Sequence, residues 1–283
     1  MDGNLIILAG GASSRMKSSN VIDGLSPAEI EAANTRSKAL MVYGDHKRPI
    51  LDFLLHNAEK AGYKNVYLVV GESHEAFKGY YGDEDSNPFG SLNLRYAIQY
   101  IPENRQKPFG TADAVSQALE QFPHLQREEF TVCNCDNLYS TQALKALRKT
   151  ECKNAFIAYD RDGLEFPLER IMRFALVKLD ADNHVVDIIE KPSEEDQVYY
   201  RDAQGKLRVS MNIFKFHGPS MTPFLFQCRP HPVRNEKELP TAILNYCKEH
   251  PGNFLGIPAK EHVPDLTSKE DIRTFKEYLR NNK

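Results

Sequence analysis

The sequence places two adjacent glycines, two serines and an arginine directly behind an apolar run, in L-I-I-L-A-G-G-A-S-S-R from Leu5 to Arg15. Gly10 and Gly11 permit a sharp turn and keep side chains off the backbone, so amide groups there can meet phosphate oxygens. Arg15 adds a fixed cation with several donors. Phosphate binding is the chemistry this loop suits; its other reading is a plain strand-to-helix turn. Two phosphate motifs are excluded. No lysine follows the glycines at P-loop spacing, and adjacent glycines do not make G-x-G-x-x-G. Further on, Gly110 and Thr111 open a helix in K-P-F-G-T-A-D-A, which is either a ligand edge or a simple Pro-Gly helix start. Asp136 ends a strand in C-N-C-D-N-L-Y. A carboxylate there commonly holds a hard cation against substrate phosphates; its other role would be to cap the helix starting near Ser140.

These groups need a scaffold, and hydrophobic periodicity supplies one. Residues 5–8 read as a strand buried on both faces. Residues 49–61 have helical spacing, with Leu51, Leu54, Leu55 and Ala58 on one side and Gly62 as a stop. Strands are expected at 65–70, 92–99 and 129–135, with helices at 73–80 and 110–119. This alternation argues for an α/β protein with a mostly parallel sheet covered on both faces. Beyond Asn154 the spacing predicts strands at 155–159, 172–179, 185–190 and 207–216, partly antiparallel, with D-A-D-N-H as a hairpin turn. Helices are expected at 236–248 and 268–279. Residues 17–37 form an unusually long hydrophilic insertion. Ser26, Pro27 and Glu29 predict a capped helix over 27–34 inside it. The insertion is a candidate lid or an unrelated surface excursion.

The chain has 283 residues and a formal net charge of −3, which suits one large α/β domain and gives no broad basic surface for nucleic acid. No apolar run is long enough to cross a membrane, and the N-terminus lacks a signal-peptide pattern, so a cytoplasmic location is expected. Five scattered cysteines argue against a disulfide framework. Cys133 and Cys135 read as buried reduced thiols.

The glycine loop resembles the start of the sugar-1-phosphate nucleotidyltransferases, L-A-G-G-x-x-[ST]-R-[LM]; Leu8, Ala9, Gly10, Gly11, Ser14, Arg15 and Met16 match it. Lys38, Leu40 and Met41 match the family's P-K-x-L-[LM], with Ser37 in place of proline. Gln99, Pro108, Gly110, Thr111 and Ala112 resemble Q-x-x-P-x-G-T-A, with a longer gap after Gln99. Asp136, Asn137 and Leu138 match G-D-[NH]-[LIV], with Cys135 in place of glycine. Ile189-Glu190-Lys191-Pro192 carries the family's E-K-P. V-S-M-N-I-F-K-F is similar to S-M-G-I-Y-x-F, with Asn212 at the glycine, and Asp265 matches the carboxylate of W-x-D-[TIV]-G-T without its tryptophan or glycine. The motifs keep family order and cover essentially the whole chain.

The resemblance implies a Rossmann-like three-layer αβα fold of the nucleotide-diphospho-sugar transferase type. It implies a single domain, 1–283, whose residues 1–150 bind nucleotide and whose residues 151–283 bind sugar phosphate. The implied reaction joins an NTP and a sugar-1-phosphate into an NDP-sugar, releasing pyrophosphate, with Mg²⁺ as cofactor. Arg15 and Lys38 would hold the leaving pyrophosphate, Lys191 the attacking phosphate, and Asp136 and Asp265 the metal. Ala9, Gly10, Gly11, Ala12, Ser13, Ser14, Gln99, Pro108, Gly110 and Thr111 would contact the nucleotide. Asn137, Glu190, Lys191 and Asn212 would contact the sugar phosphate. Transfer of this kind depends on positioning and charge neutralisation, and the attacking phosphate is already an anion. That agrees with the lack of any histidine anchored to a motif. The partners are thus an NTP and a sugar-1-phosphate, with no nucleic acid or membrane, and a homo-oligomer is allowed. A transferase for a non-sugar phosphate and a catalytically silent nucleotide-sugar sensor are the other readings; a glycosyltransferase would lack the Arg15/Lys38 pair.

Overall fold

A computed structural model describes residues 3–11, 13–20, 23–43, 48–172, 174–190 and 192–281. Its strands are β1 Asn4–Leu8, β2 Val42–Tyr43, β3 Arg48–Pro49, β4 Asn65–Gly71, β5 Asn87–Phe89, β6 Leu92–Gln99, β7 Glu129–Asn134, β8 Ala155–Asp160, β9 Leu176–Leu179, β10 Val185–Ile189, β11 Arg208–Val209, β12 Ile213–His217 and β13 Leu255–Ala259. The helices of the first half are α1 Ser14–Ser18, α2 Pro27–Thr35, α3 Ile50–Ala61, α4 Glu75–Tyr81, α5 Thr111–Gln121 and α6 Thr141–Lys149. Those of the second half are α7 Leu168–Ile171, α8 Glu194–Tyr199, α9 Gly218–Phe226, α10 Leu239–Glu249 and α11 Lys269–Asn281.

One large sheet runs in the order β10-β9-β11-β8-β12-β7-β1-β4-β6-β5, and β13 lies parallel along β8. The strands β7, β1, β4 and β6 are mutually parallel. Strand β12 enters antiparallel between β7 and β8. Its first residue therefore lies at the edge where β1 and β7 end, as the pairing of Ile213 with Cys133 shows. Successive residues of β1 face opposite sides of the sheet. Leu5 and Ile7 enter a core with α3, α4 and α6, while Ile6 enters a second core with α5, α9 and α10. The three layers follow from that division, as the mostly parallel α/β reading required.

A third, smaller core joins Met16, Ala33, Ile50, Leu266, Ile272 and Phe275. It fastens α1 and the insertion to α11. The capped helix expected in the insertion is present: Ser26 and Glu29 make a reciprocal capping box, with Pro27 at the helix start. Glu29 also pairs with Lys276 on α11 at 2.6 Å. The insertion thus carries a packed face against the C-terminal helix.

Two stretches differ from their expected form. The strand expected over 172–179 starts only at Leu176, and the short helix α7, ending at Ile171, precedes it. The strand expected over 207–216 is broken into β11 and β12, because Met211 and Asn212 take the left-handed conformation (φ 43° and 56°). Asn is among the few side chains that tolerate that region. The backbone conformation at Asn212 is one that glycine adopts freely. That accounts for how asparagine can stand where similar sequences have glycine.

Candidate active site

The site is built at the carboxyl edge of the parallel strands, where open α/β sheets bind ligands. Strand β1 ends at Leu8, and the Ala9 N–H donates to the Val69 carbonyl at 2.7 Å, holding the loop to β4. A Cβ on Gly10 would sit tightly against the Gln99 side-chain Oε1 at 3.2 Å, whereas one on Gly11 would meet nothing within 4 Å. Gly10 is therefore closely packed, and Gly11 leaves open space over the cleft. Ser13 is held left-handed at φ 54°, a non-glycine outlier of the kind that clusters at functional sites. Its hydroxyl accepts the Lys38 N–H at 3.4 Å. Ala12 lies outside the described residues.

Arg15 projects from α1, and the end of that helix is held from behind. Lys269, 2% exposed, donates from Nζ to the carbonyls of Met16, Lys17 and Ser19 at 3.0, 3.2 and 2.6 Å. These are carbonyls that a short helix leaves without internal partners. Arg15 borders a cleft of about 380 Å³ and each of the three cavities around it.

The 380 Å³ cleft brings together most of the residues assigned to the nucleotide: Ala9 to Gly11, Ser13, Ser14, Gln99, Pro108, Gly110 and Thr111. Several of them also hold the wall itself. Gln99 donates from Nε2 to the Gly110 carbonyl at 3.1 Å and to Asp113 at 3.2 Å. Thr111 accepts the Leu239 N–H at 3.0 Å. Lys237 exchanges backbone bonds with Phe109 and Ala112 at 2.7 and 2.9 Å. Gly110 sits at φ 112°, and a Cβ there would collide with the backbone of Lys237. Gly110→Ala is expected to cost about 2 kcal/mol or more of unfolding free energy from backbone strain and this clash. Urea denaturation measures it, and an unchanged midpoint would contradict the geometry.

Asp136 follows β7, and its carbonyl accepts the Leu266 N–H at 2.8 Å. Lys38, buried in the turn Lys38–Leu40, reaches Asp136 Oδ2 from Nζ at 3.0 Å. The cation and the carboxylate, 98 residues apart, are thus in direct contact. Asp265 lies beside them, its backbone bridged to Asn137. Burial first, then the nearby charge of Asp136, raises the Asp265 carboxyl above its usual range. Two carboxylates close enough to oppose each other's ionisation, both hard oxygen donors, form a donor set that fits a divalent cation. Asp265 is also held by Arg170, which pairs with both Asp265 and Asp271, and by the Thr267 hydroxyl at 2.9 Å.

Asn137 is buried. Tyr139 donates to Asn137 Oδ1 at 3.3 Å and lies within bonding distance of the Met211 and Asn212 carbonyls, at 2.8 and 3.2 Å. That contact places Asn212 beside Asp136, Asn137 and Asp265 around one small pocket of about 240 Å³. Glu190 instead lines a separate cavity with Asn212 and is paired to Arg234. Lys191 lies outside the described residues.

Sequence reading missed Lys107, Glu236 and Glu238 at the nucleotide-side cleft, and Arg170, Arg234 and Lys269 behind or beside it. Glu236 and Glu238 fall at the start of the helix expected over 236–248, to which no site role was attached. No periodicity marks Arg170 or Lys269.

His262 borders the cavity that contains Arg170. Its Nδ1 accepts the Glu165 N–H at 3.1 Å, so protonation there breaks a bond. Burial lowers its pKa; Glu165 opposes this and Arg170 reinforces it. The stability supplied by the neutral ring is therefore present above the unfolded imidazole value and lost as pH falls below it. An NMR titration should place its midpoint below about 6.5; a midpoint at or above that value would refute the assignment.

Residues 4–250 match the nucleotidyl transferase family, and the chain belongs to it. It is 24% identical over 255 residues to a glucose-1-phosphate adenylyltransferase of Rhizobium radiobacter, an alignment covering 88% of this chain. The chain spans about half the length of that curated relative, 54%. The solved structure of a UDP-glucose pyrophosphorylase complexed with UDP-glucose superimposes over 100% of both chains with a TM-score of 0.70 at 16% identity. That likeness is one of fold, the nucleotide-diphospho-sugar transferase type. No described helix is long and apolar enough to cross a membrane.

Proposed function

We propose that this chain transfers a nucleotidyl group from an NTP to a sugar-1-phosphate, giving an NDP-sugar and pyrophosphate. The observation that carries this reading is the Lys38–Asp136 contact at 3.0 Å, with Arg15 and Asp265 bordering the same small pocket as Asp136. A reaction between two anions needs this arrangement of cations and carboxylates, and it needs little else from the protein. Ala9 to Ser14, Gln99, Pro108, Gly110 and Thr111 would receive the nucleotide, with residues 1–150 supplying most of that wall and Glu236 and Glu238 closing it. Arg15 and Lys38 would bind the leaving β- and γ-phosphates. Asn137, Glu190, Lys191 and Asn212 would face the sugar phosphate from the second half of the chain and from the end of β7. Asp136 and Asp265 would hold Mg²⁺, which when bound neutralises charge on the α-phosphate. On binding, Lys38 would exchange its bond to Asp136 for the phosphates, freeing the carboxylate.

A pyrophosphate-release screen of four NTPs against a panel of sugar-1-phosphates tests this reading. Release that requires both substrates is the expected result. Silence with every pair would refute it, as would release without a sugar phosphate.

A further inference from the structure

The backbone around Asp265 is tied to the end of β7 on both sides. The Leu138 N–H donates to the Pro264 carbonyl at 2.9 Å, and the Leu266 N–H donates to the Asp136 carbonyl at 2.8 Å. What is left to fix is the rotation of the carboxylate, and two donors fix it. Arg170 donates from a terminal nitrogen to Asp265 Oδ2. The Thr267 hydroxyl donates to the same Oδ2 at 2.9 Å. Among the described residues both side-chain donors take Oδ2, and none reaches Oδ1.

Arg170 is itself held. Its other terminal nitrogen pairs with Asp271 Oδ1, while Asp271 Oδ2 accepts the Thr267 and Ser268 N–H groups at 2.8 and 2.7 Å. The guanidinium also lies 4.4 Å over the Phe166 ring. A planar fork can span two carboxylates in this way, and a single ammonium cannot reproduce it. Asp265 and Thr267 border both the pocket of about 240 Å³ at Asp136 and a neighbouring cavity of about 780 Å³. Arg170 lines the larger space and not the pocket, whereas Asp136 lines the pocket and not the larger space. The guanidinium therefore grips Asp265 from outside the place where a cation would meet Asp136.

We propose that Arg170 is a positioning residue for metal binding. With Thr267 it engages Oδ2, and so leaves Asp265 a single ligating oxygen, Oδ1, for a divalent cation shared with Asp136. This inference rests on the reading of Asp136 and Asp265 as the metal pair. Groups that orient a ligating side chain are worth about 10–100-fold in metal affinity. A plain counter-charge would act with the opposite sign, because deleting a cation beside a cation site relieves repulsion and tightens binding.

Binding of Mn²⁺ to the substrate-free protein, read from the paramagnetic resonance of the free ion, tests the proposal without turnover. The wild-type protein should bind Mn²⁺ and Asp136→Asn should not, which locates the signal. Arg170→Lys keeps the charge but cannot span Asp265 and Asp271, and Arg170→Met removes it. Each should raise the Mn²⁺ dissociation constant about tenfold or more. Thr267→Val deletes the second Oδ2 donor at nearly constant volume and should shift it in the same direction. Urea midpoints check that each variant is folded, and Thr267→Val decides if both Arg170 variants fail that check. Unchanged or tighter Mn²⁺ binding in the folded variants overturns the inference. So does wild-type protein that binds no Mn²⁺, or binds it regardless of Asp136→Asn. Pyrophosphate release with Mn²⁺ affinity unmoved by these variants would leave the transfer reaction standing and remove the role of Arg170. Weakened Mn²⁺ binding without release from any substrate pair would do the reverse.

Discussion

Asp136→Asn is expected to lower nucleotidyl transfer by about a thousandfold while leaving the protein folded. The substitution keeps the size and shape of the side chain and removes its charge. The backbone at Asp136 is held independently, because its carbonyl accepts the Leu266 N–H and the preceding Cys135 N–H donates to Leu8 at 3.2 Å. Loss of the carboxylate therefore removes a proposed metal ligand and the partner of Lys38, and little else. Groups that stabilise charge only as it develops in the transition state carry effects of about 10²–10³ each, and a missing metal ligand falls at the upper end. Steady-state pyrophosphate release, compared with urea denaturation of the same variant, separates catalysis from stability. Undiminished turnover would reject Asp136 as a ligand.

The second large effect is at Lys38. Lys38→Met retains the buried stem and deletes the ammonium; the expected loss in kcat/KM is about 10²-fold or more, by the same electrostatic argument. Because Lys38 and Asp136 are in contact, the double variant is expected to be little worse than the more severe single one, since residues acting as a unit are strongly non-additive. Losses that multiply would show that the two groups act separately, and the contact would then have no bearing on catalysis.

These expectations begin with residues legible in the sequence. The glycine loop, Gly110 and Asp136 carried a local signal, either a turn that suits glycine or a polar group at the end of an apolar strand, whereas Lys38 and Asp265 stood out only through the family resemblance. The structure brings them to one edge because β1 and β7 are parallel neighbours. The alternation of Leu5, Ile6 and Ile7 between two cores was equally readable, since a strand buried on both faces leaves a continuous apolar run. Other features had no such signal. The break between β11 and β12 depends on left-handed Met211 and Asn212, and methionine gives no hint of that conformation. Arg170 and Lys269 lie in ordinary helical stretches, yet one holds Asp265 and the other holds the end of α1. Both act across more than 90 residues of chain, and only the folded arrangement reveals them.

The most direct test of the central claim is product analysis by mass spectrometry. Wild-type protein and Asp136→Asn are each incubated with Mg²⁺, an NTP and a sugar-1-phosphate chosen from the screen. The wild-type protein should form one NDP-sugar for each pyrophosphate released and nothing when either substrate is omitted, and the variant should form almost none. Pyrophosphate without nucleotide sugar, or equal product from the variant, would contradict the assignment of this edge of the sheet as a nucleotidyl-transfer site.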